Sequence, residues 1–340
     1  MPVTLKDIAA KSGFSVTTVS RALAGYNDVS QNTRSQILAI ADELGYQPNQ
    51  VARQLQKQST NTVGLIMPAR QDFHDDFFSV LFKGIIYTAA QHNFDVLIST
   101  TQHGEAEMEA YRRFAGGNRV DGLIVARTYR DDPRIEYLKS IKHPFVVAGR
   151  SALGHGSDFA YIDYDSQTGI EQLVEHFVAY GHRNIGIILP DEALAFSEYR
   201  FAGYQGGLKK AGILFRESFV EYGDMTYAGG VRTAQTLLNR NPELTAIIGC
   251  NDLMALGAMA AVQNCGLQVG QDIAVGGFDG IPAAERATPP LTTVSQPIYE
   301  LGEMLTDLLI QLIADSPTDT VQRLLQPELI VRASSGQPRR

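Results

Sequence analysis

From Asn61 onward, short apolar runs alternate with longer stretches of helical spacing, and this alternation restricts the fold more than any other feature. VGLIMP, DVLIST, GLIVA and PFVVAG read as strands, with helices at Phe77 to His92, Glu105 to Ala115 and Pro133 to Ile141 between them. Strands punctuated by helices predict a parallel sheet built from βαβ units. After a strand at Ala160 to Asp163 the pattern restarts: NIGIILP, FVEYG, TAIIGC and IAVGGFD are separated by helices near Gln167 to Tyr180, Tyr199 to Ala211, Tyr227 to Leu238 and Asp252 to Cys265. The restart predicts two similar α/β lobes. The late segments TTVSQP and ELIVRAS predict that the chain crosses between the lobes more than once.

The first sixty residues follow a different rule. Residues 4 to 44 show no two-residue alternation and carry capping signals at regular intervals, which predicts three short helices. Thr4 stands three residues before Asp7, so its hydroxyl is placed to cap the first turn while the carboxylate faces the helix's positive end. Ser15 and Ser30 are placed to cap the second and third helices, and Gly13, Phe14 and Ser15 make the turn between the first two. On the second helix, SVTTVSRAL, Val19 and Leu23 share a face that suits a small core with Leu5, Ile8, Ile37, Ile40 and Leu44. Val16, Thr17, Ser20 and Arg21 form a stripe on another face. Two descriptions fit that stripe: the solvated side of a three-helix bundle, or a reader of the DNA major groove, with Arg21 bidentate on guanine and Val16 and Thr17 against a thymine methyl.

At 340 residues the chain has room for two or three domains, and with 44% apolar and 19% charged residues it can bury real cores. It has no window of the roughly 18 apolar residues that a membrane span requires. Its start, MPVTLKDIAAKSG, lacks the apolar stretch of a secretory signal, so a cytoplasmic protein with no membrane partner is expected. Cys250 and Cys265 form no CxxC spacing and the seven histidines show no ligand spacing, so no metal, disulfide framework or cofactor is expected. The net charge of −8 hides an asymmetry: the first sixty residues hold six basic groups against four acidic ones, a mildly basic module on an acidic body.

YQPNQVARQLQKQST joins the two parts. Pro48 interrupts the chain, Asn49 is a good cap, and Val51 and Leu55 share one face of a helix of barely two turns flanked by Arg53 and Lys57. So short a helix is marginal in water without a partner. DNA is one such partner, with Leu55 wedged between base steps in the minor groove. A plain linker is the other description, since the polar run from Gln56 to Thr62 serves it equally well.

The run VTLKDIAAKSGFSVTTVSRALAG, followed by VSQNTRSQILAIADELGYQPNQVARQL, closely resembles the DNA-binding headpiece of the LacI/GalR family of bacterial transcription regulators, and the similarity continues at lower density through the rest of the chain. The resemblance implies an all-α helix-turn-helix headpiece followed by an α/β two-lobed periplasmic-binding-protein-like (type I) effector domain. It implies that Val16, Thr17 and Arg21 read base edges, that Ser15 and Thr18 lie near phosphates, and that Leu55 is the minor-groove wedge of a hinge helix. Thr4, Ser20, Asn49, Ala52 and Arg53 complete the candidate DNA-binding set. The implied layout is a headpiece over 1–46, a hinge helix and linker over 47–60, and an effector-binding and dimerisation domain over 61–340. Within that domain the N-lobe would take about 61–161 and 293–323, and the C-lobe about 162–292 and 324–336. The implied partners are a near-palindromic double-stranded DNA operator, a second copy of the chain and a sugar or oligosaccharide effector, in a repressor of carbohydrate-utilisation genes. The tail SSGQPRR has no leucine heptads, so a homodimer is the expected limit of assembly.

Ligands of open α/β sheets bind beyond the carboxyl ends of the strands. Those ends hold Asp72 to Phe78, Thr101, Gln102, Arg127, Thr128 and Arg150 in the first lobe, and Asp191 to Arg200, Asp224, Asn251, Asp252 and Asp279 in the second. Arginine, aspartate, asparagine and phenylalanine suit a polyhydroxylated ligand, and because tryptophan is absent Phe or Tyr must do the stacking. Phe77 and Phe78 are adjacent and cannot share a helix face, so one of them packs inside the lobe. Asp163 and Asp165 in YIDYD fit capping of the next helix as well as ligand contact. Arg200, expected just inside a helix N-terminus, gains nothing from the dipole there and needs another role. In the LacI/GalR family the similar motif S-x-x-R-x-x-G-Y places its arginine on the effector, and Ser197, Arg200, Gly203 and Tyr204 match it. Asn251, Asp279 and Gln296 also match effector-contacting positions of the family. Asp72, Phe77, Arg127, Arg150 and Phe196 complete the candidate effector set. Where relatives often have an aromatic residue after a GD pair, Met225 follows Gly223 and Asp224, which leaves stacking to Phe196 or Phe77. The cleft loops resemble those of regulators that respond to glucosides or related oligosaccharides.

No GxxxxGK[ST] loop, GxSxG elbow or HExxH helix occurs, so no catalytic residue is expected, although a paired-carboxylate glycosidase is compatible with the residue types alone. The principal rival is a stand-alone sugar-binding protein of a transport system, for which residues 61–340 would look much the same. The headpiece and the absence of a signal sequence speak against it.

Overall fold

A computed structural model of the chain describes residues 3–46, 59–69, 76–314 and 321–337. The chain divides into two compact units, Met1–Ser59 and Thr60–Arg340. The first holds α1 (Leu5–Ser12), α2 (Val16–Leu23) and α3 (Gln31–Glu43). Ile8, Val19 and Ile37 are fully sequestered at its centre with Ala22 and Ala41 beside them, and Leu5, Leu23, Ile40 and Leu44 pack around the edge. The expected Val19/Leu23 face of α2 does meet this core, with Ala22 buried beside Val19 and Leu23 partly exposed at the edge. Each fully buried aliphatic side chain contributes about 2 kcal/mol, so a core this small depends on its helix ends as well. Ser15 accepts the Thr18 amide at 3.1 Å and Ser30 accepts that of Thr33 at 3.2 Å, satisfying donors the helices themselves leave unpaired. At α1 the carboxylate does the accepting: Asp7 takes the Thr4 hydroxyl at 2.7 Å and its amide at 2.8 Å, and these bonds hold its carboxyl below the usual range.

The second unit contains two six-stranded sheets. The first lobe's elements begin with β1 (Thr62–Pro68), α4 (Asp76–Gln91), β2 (Asp95–Thr101) and α5 (Glu105–Tyr111). They continue with β3 (Gly122–Ala126), α6 (Pro133–Ser140), β4 (Phe145–Ala148) and β5 (Tyr161–Tyr164). The second lobe begins with α7 (Ser166–Ala179), β6 (Ile185–Leu189), α8 (Ala195–Lys210) and β7 (Val220–Tyr222). It goes on through α9 (Tyr227–Arg240), β8 (Ala246–Gly249), α10 (Asp252–Asn264), β9 (Ala274–Asp279), α11 (Pro282–Arg286) and β10 (Thr292–Ser295). Then come α12 (Ile298–Ile313), β11 (Gln322–Leu325) and β12 (Glu328–Ile330). The sheet orders are β11-β5-β4-β3-β1-β2 and β12-β10-β9-β8-β6-β7. Every pairing is parallel except β10 with β12. Strands β3, β6, β8 and β9 are buried at every position, as strands covered by helices on both faces must be, and this is why they read as unbroken apolar runs.

The chain crosses between sheets after β5, after β10 and after β11. These points differ by a few residues from the expected limits. Strand β5 belongs to the first sheet as far as Tyr164 and β11 as far as Leu325. Residues Thr292–Ser295 pair with Gly276–Asp279 in the second sheet, so the return to the first lobe begins after Ser295 and not at 293. Helix α12 then packs along α4, where a Cβ on Gly84 would overlap the Tyr299 carbonyl, so only glycine permits the crossing. Helix α8 starts at Ala195, four residues earlier than expected; its N-cap, Leu194, offers no capping side chain for sequence to reveal.

Candidate functional site

The carboxyl ends of both sheets converge on a chamber between the lobes. Arg127 follows β3, Arg150 follows β4, and Asp163 and Tyr164 end β5; from the other side Asn251 follows β8, Asp279 ends β9 and Gln296 follows β10. The first turn of α4 and the first two turns of α8 add Phe77, Phe78, Phe196, Tyr199 and Arg200. The chamber encloses about 800 Å³ of empty space, its open mouth included.

Arg200 is its best-determined member. The side chain is buried, with its guanidinium 4.1 Å from the centre of the Phe278 ring and 4.7 Å from that of Phe196, close enough for cation–π attraction. Nη1 donates to the Cys250 carbonyl, Nη2 lies 3.8 Å from Asp279 Oδ1, and Nε has no partner within the protein. The rest of the S-x-x-R-x-x-G-Y motif holds α8 in place. Ser197 donates to the Pro190 carbonyl at 3.1 Å and Tyr204 donates to that of Ile185 at 2.7 Å. A Cβ on Gly203 would overlap the Gln167 carbonyl, so glycine lets α8 approach α7. Ser197, expected on the effector, therefore faces away from the chamber wall: its hydroxyl satisfies a neighbouring carbonyl instead.

Arg150 is the counterpart from the first lobe. Nε donates to Asp163 Oδ2 at 2.8 Å, the guanidinium lies 4.0 Å from the Tyr199 ring centre, and Nη2, 3.7 Å from Asp165, has no hydrogen-bond partner within the protein. The two aspartates of YIDYD thus divide their work. Asp165 caps α7 through the Thr168 amide at 3.3 Å, whereas Asp163 orients Arg150. Burial holds the Asp163 carboxyl above its usual range, against the weaker opposing pull of Arg150. Ser166 completes the wall; its hydroxyl is also buried without a partner in the protein. An unsatisfied buried group costs on the order of 1–3 kcal/mol, so Arg150 Nη2, Ser166 Oγ and Arg200 Nε make the chamber receptive to a ligand with several hydroxyls.

The remaining candidates are more tightly bound within the protein. Asn251 caps α10 through Met254 N at 3.0 Å and donates to the Met225 carbonyl at 3.2 Å. Gln296 donates to Asp279 Oδ1 at 2.8 Å. Of the adjacent phenylalanines, Phe78 packs into the lobe and Phe77 is half-buried at the chamber wall. Arg127 has its guanidinium 4.8 Å from the Phe78 ring centre. Met225 lines the chamber, as do Phe77 and Phe196, the two rings expected to take over stacking; Tyr164, Tyr199 and Phe278 add three that the sequence did not single out. Ser166 was missed as well, because a serine opening a helix looks like capping. Asp72 lies outside the described residues.

Contacts across the cleft gather at the start of α8. The Ala195 amide donates to the Thr128 carbonyl and the Arg130 amide to that of Ala193, each at 2.9 Å. Tyr199 donates to the Ser151 carbonyl at 2.9 Å, and Glu198 takes the Leu153 amide at 2.8 Å and pairs with Arg130. The first two turns of α8 therefore join the lobes and line the chamber.

In the first unit α2 presents its stripe to solvent. Val16 is 42% exposed, Thr17 is exposed, and Thr18 and Ser20 are half-buried. Arg21 pairs with Asp28 at 2.7 Å and lies 5.4 Å from the Tyr26 ring centre, so its guanidinium is oriented before anything binds. Ser15 and Thr4 stand at the N-termini of α2 and α1. Asn49, Ala52, Arg53 and Leu55 lie outside the described residues. Among the described residues no acidic, histidine or cysteine cluster could hold a metal, and no helix is long and apolar enough to cross a membrane.

A helix-turn-helix unit joined to a two-lobed ligand-binding unit defines a ligand-responsive DNA-binding regulator. Comparison with known proteins agrees. Residues 4–49 match the model of bacterial regulatory proteins, lacI family, and residues 174–335 that of the periplasmic binding protein-like domain. The chain is 33% identical to the HTH-type transcriptional regulator CelR of Thermobifida fusca, over 97% of this chain and 98% of that one. A solved CelR–cellobiose complex is similar with a TM-score of 0.76 and 32% identity, covering 98% of this chain and 99% of that chain. A lac repressor dimer bound to operator and the anti-inducer ONPF is similar with a TM-score of 0.86 and 30% identity, covering 99% and 100%. The chain belongs to the lacI family of bacterial regulatory proteins.

Proposed function

We propose that the protein is a homodimeric cytoplasmic repressor of carbohydrate-utilisation genes that binds a near-palindromic operator through α2 and is controlled by a sugar in the interlobe chamber. One observation carries the effector assignment: three residues that line one chamber, Arg150, Ser166 and Arg200, each hold a buried hydrogen-bonding atom with no partner within the protein. Aromatic rings beside them suit the CH faces of a sugar. The sugar-bound CelR structure and the operator-bound lac repressor dimer support the same reading by likeness.

The mechanism follows from α8. A ligand bonded to Arg200 from one lobe and Arg150 from the other favours whichever lobe arrangement makes both bonds at once. It shifts that equilibrium by its differential affinity, a coupling of about 1–3 kcal/mol in typical cases. Residues 47–60 connect this change to the headpiece. Their candidate DNA contacts Asn49, Ala52, Arg53 and Leu55, together with Thr4, Ser15, Val16, Thr17, Thr18, Ser20 and Arg21, form the proposed DNA-binding set. We assign no catalytic step: Asp163 and Asp279, the chamber's carboxylates, serve to orient Arg150 and Gln296.

The test is operator binding by the full chain, followed by fluorescence anisotropy on an operator selected from random duplex, with and without a panel of mono- and disaccharides. At least one sugar should change operator affinity about five- to 150-fold. Binding to duplex without any sequence preference, or operator affinity indifferent to every sugar that binds, would overturn the proposal.

A further inference from the structure

Between the serine and the arginine of S-x-x-R-x-x-G-Y stand Glu198 and Tyr199, two positions that the motif leaves open. Both turn across the cleft. Glu198 Oε2 accepts the Leu153 amide at 2.8 Å and Oε1 accepts Nη2 of Arg130. Arg130 belongs to the loop after β3 and Leu153 to the loop after β4, so one carboxylate of the second lobe holds two separate segments of the first. Tyr199 reaches a third point, donating to the Ser151 carbonyl at 2.9 Å.

The backbones around Glu198 are shaped for this meeting. Residues 128–130 and 193–195 run antiparallel: the Ala195 amide donates to the Thr128 carbonyl, the Arg130 amide donates to that of Ala193, and Tyr129 and Leu194 form the bridge between them. On the first lobe, Asp132 accepts the Tyr129 amide at 3.1 Å. Buried Arg134 donates to the Arg127 carbonyl at 2.8 Å, where the backbone is left-handed with φ of 56°. On the second lobe, Asp191 accepts the Ala193 amide at 2.9 Å. Each strip is thus set within its own lobe before the two meet.

The ion pair stands at the rim, with the Arg130 side chain 52% exposed and that of Glu198 20%. Water can solvate both charges when the lobes part, so opening strands neither of them, as it would strand the members of a buried pair. Such a contact makes and breaks reversibly. Among the described residues the chamber wall includes neither Glu198 nor Arg130.

Resting on the reading that an effector shifts the balance between lobe arrangements, we propose that Glu198 is a positioning residue, a latch that with Arg130 and Leu153 sets the fraction of molecules whose lobes are joined. The latch acts on the effector without touching it. Apparent affinity falls in proportion to the binding-competent fraction, so weakening the latch shortens the effector's residence while the chamber's own bonds stay as they are.

Hydrogen exchange of the full chain without sugar tests the latch directly. The Arg130 and Ala195 amides bond across the cleft to backbone and not to Glu198, so they report opening of the lobes. In Glu198→Ala both should exchange about tenfold faster, the share of one hydrogen bond to a charged group, with the urea unfolding midpoint unchanged. Glu198→Gln, which keeps an acceptor for the Leu153 amide, should fall between. Whichever of cellobiose, maltose and trehalose binds the unsubstituted chain should dissociate from Glu198→Ala faster by the same factor. Unchanged exchange at the two amides would overturn the latch. So would faster exchange throughout the effector unit with a lowered midpoint, the mark of ordinary stabilisation, or faster opening that left sugar dissociation as it was. Faster exchange at these amides in a chain that binds none of the three sugars would uphold the latch and count against the sugar reading alone.

Discussion

On α2 the groups proposed to read DNA stand in water: Val16 is 42% exposed and the Arg21 side chain 49%. In the chamber Arg200 and Asn251 are buried, and two guanidiniums are pressed against aromatic rings. The difference lies in when desolvation is incurred. The headpiece face folds wet and exchanges solvent for base edges only on binding, so its side chains barely affect stability. The chamber is desolvated during folding, and its unpartnered donors are ready for a ligand in a medium where each bond is strong. Positions in the chamber should therefore couple stability to function, and positions on α2 should not.

Arg134→Ala probes the buried extreme. It leaves Glu107 and Asp132 without their cation, and should destabilise the effector unit by about 3–5 kcal/mol in urea unfolding. A loss below about 1 kcal/mol would place this triad with surface ion pairs and erase the contrast. Arg200→Ala should weaken effector binding about a hundredfold, close to 3 kcal/mol, while operator binding without effector persists. A normal effector response from that variant would remove Arg200 from the site. Arg21→Ala should cost about 1–3 kcal/mol of operator affinity and relax discrimination at one base pair, with the thermal midpoint unchanged. An equal loss on all duplexes would make Arg21 a phosphate contact. At the small end, Lys11→Ala removes the exposed Lys11–Glu43 pair and should cost under about 1 kcal/mol. A larger cost would show that the headpiece, too, holds its fold through charge.

Much of this was legible in the chain. Serine caps, an apolar period and a polar stripe describe α2 because a short helix is governed by neighbours three and four residues away. Strand runs and their polar ends located the chamber, because parallel sheets bring those ends together. The roles within the chamber were less visible. Ser197 and Arg200 belong to one motif, yet only Arg200 reaches the chamber, since one turn of α8 points Ser197 toward Pro190. Asp163 and Asp165 look equivalent in YIDYD, but β5 ends at Tyr164: Asp163, still in the strand, bonds Arg150, whereas Asp165 stands at the start of α7 and caps it. Ser166 looks like a capping residue and became a chamber wall.

By itself the sequence determined the elements, the two units and the residue types at the ends of the strands, since periodicity, capping and turn chemistry act over a few residues. Only the tertiary structure decided which of those polar groups find partners and which are buried without them. Satisfaction of a buried donor depends on segments far apart in the chain, as when Arg200 from α8 meets the Cys250 carbonyl beyond β8 while its Nε is left for something else.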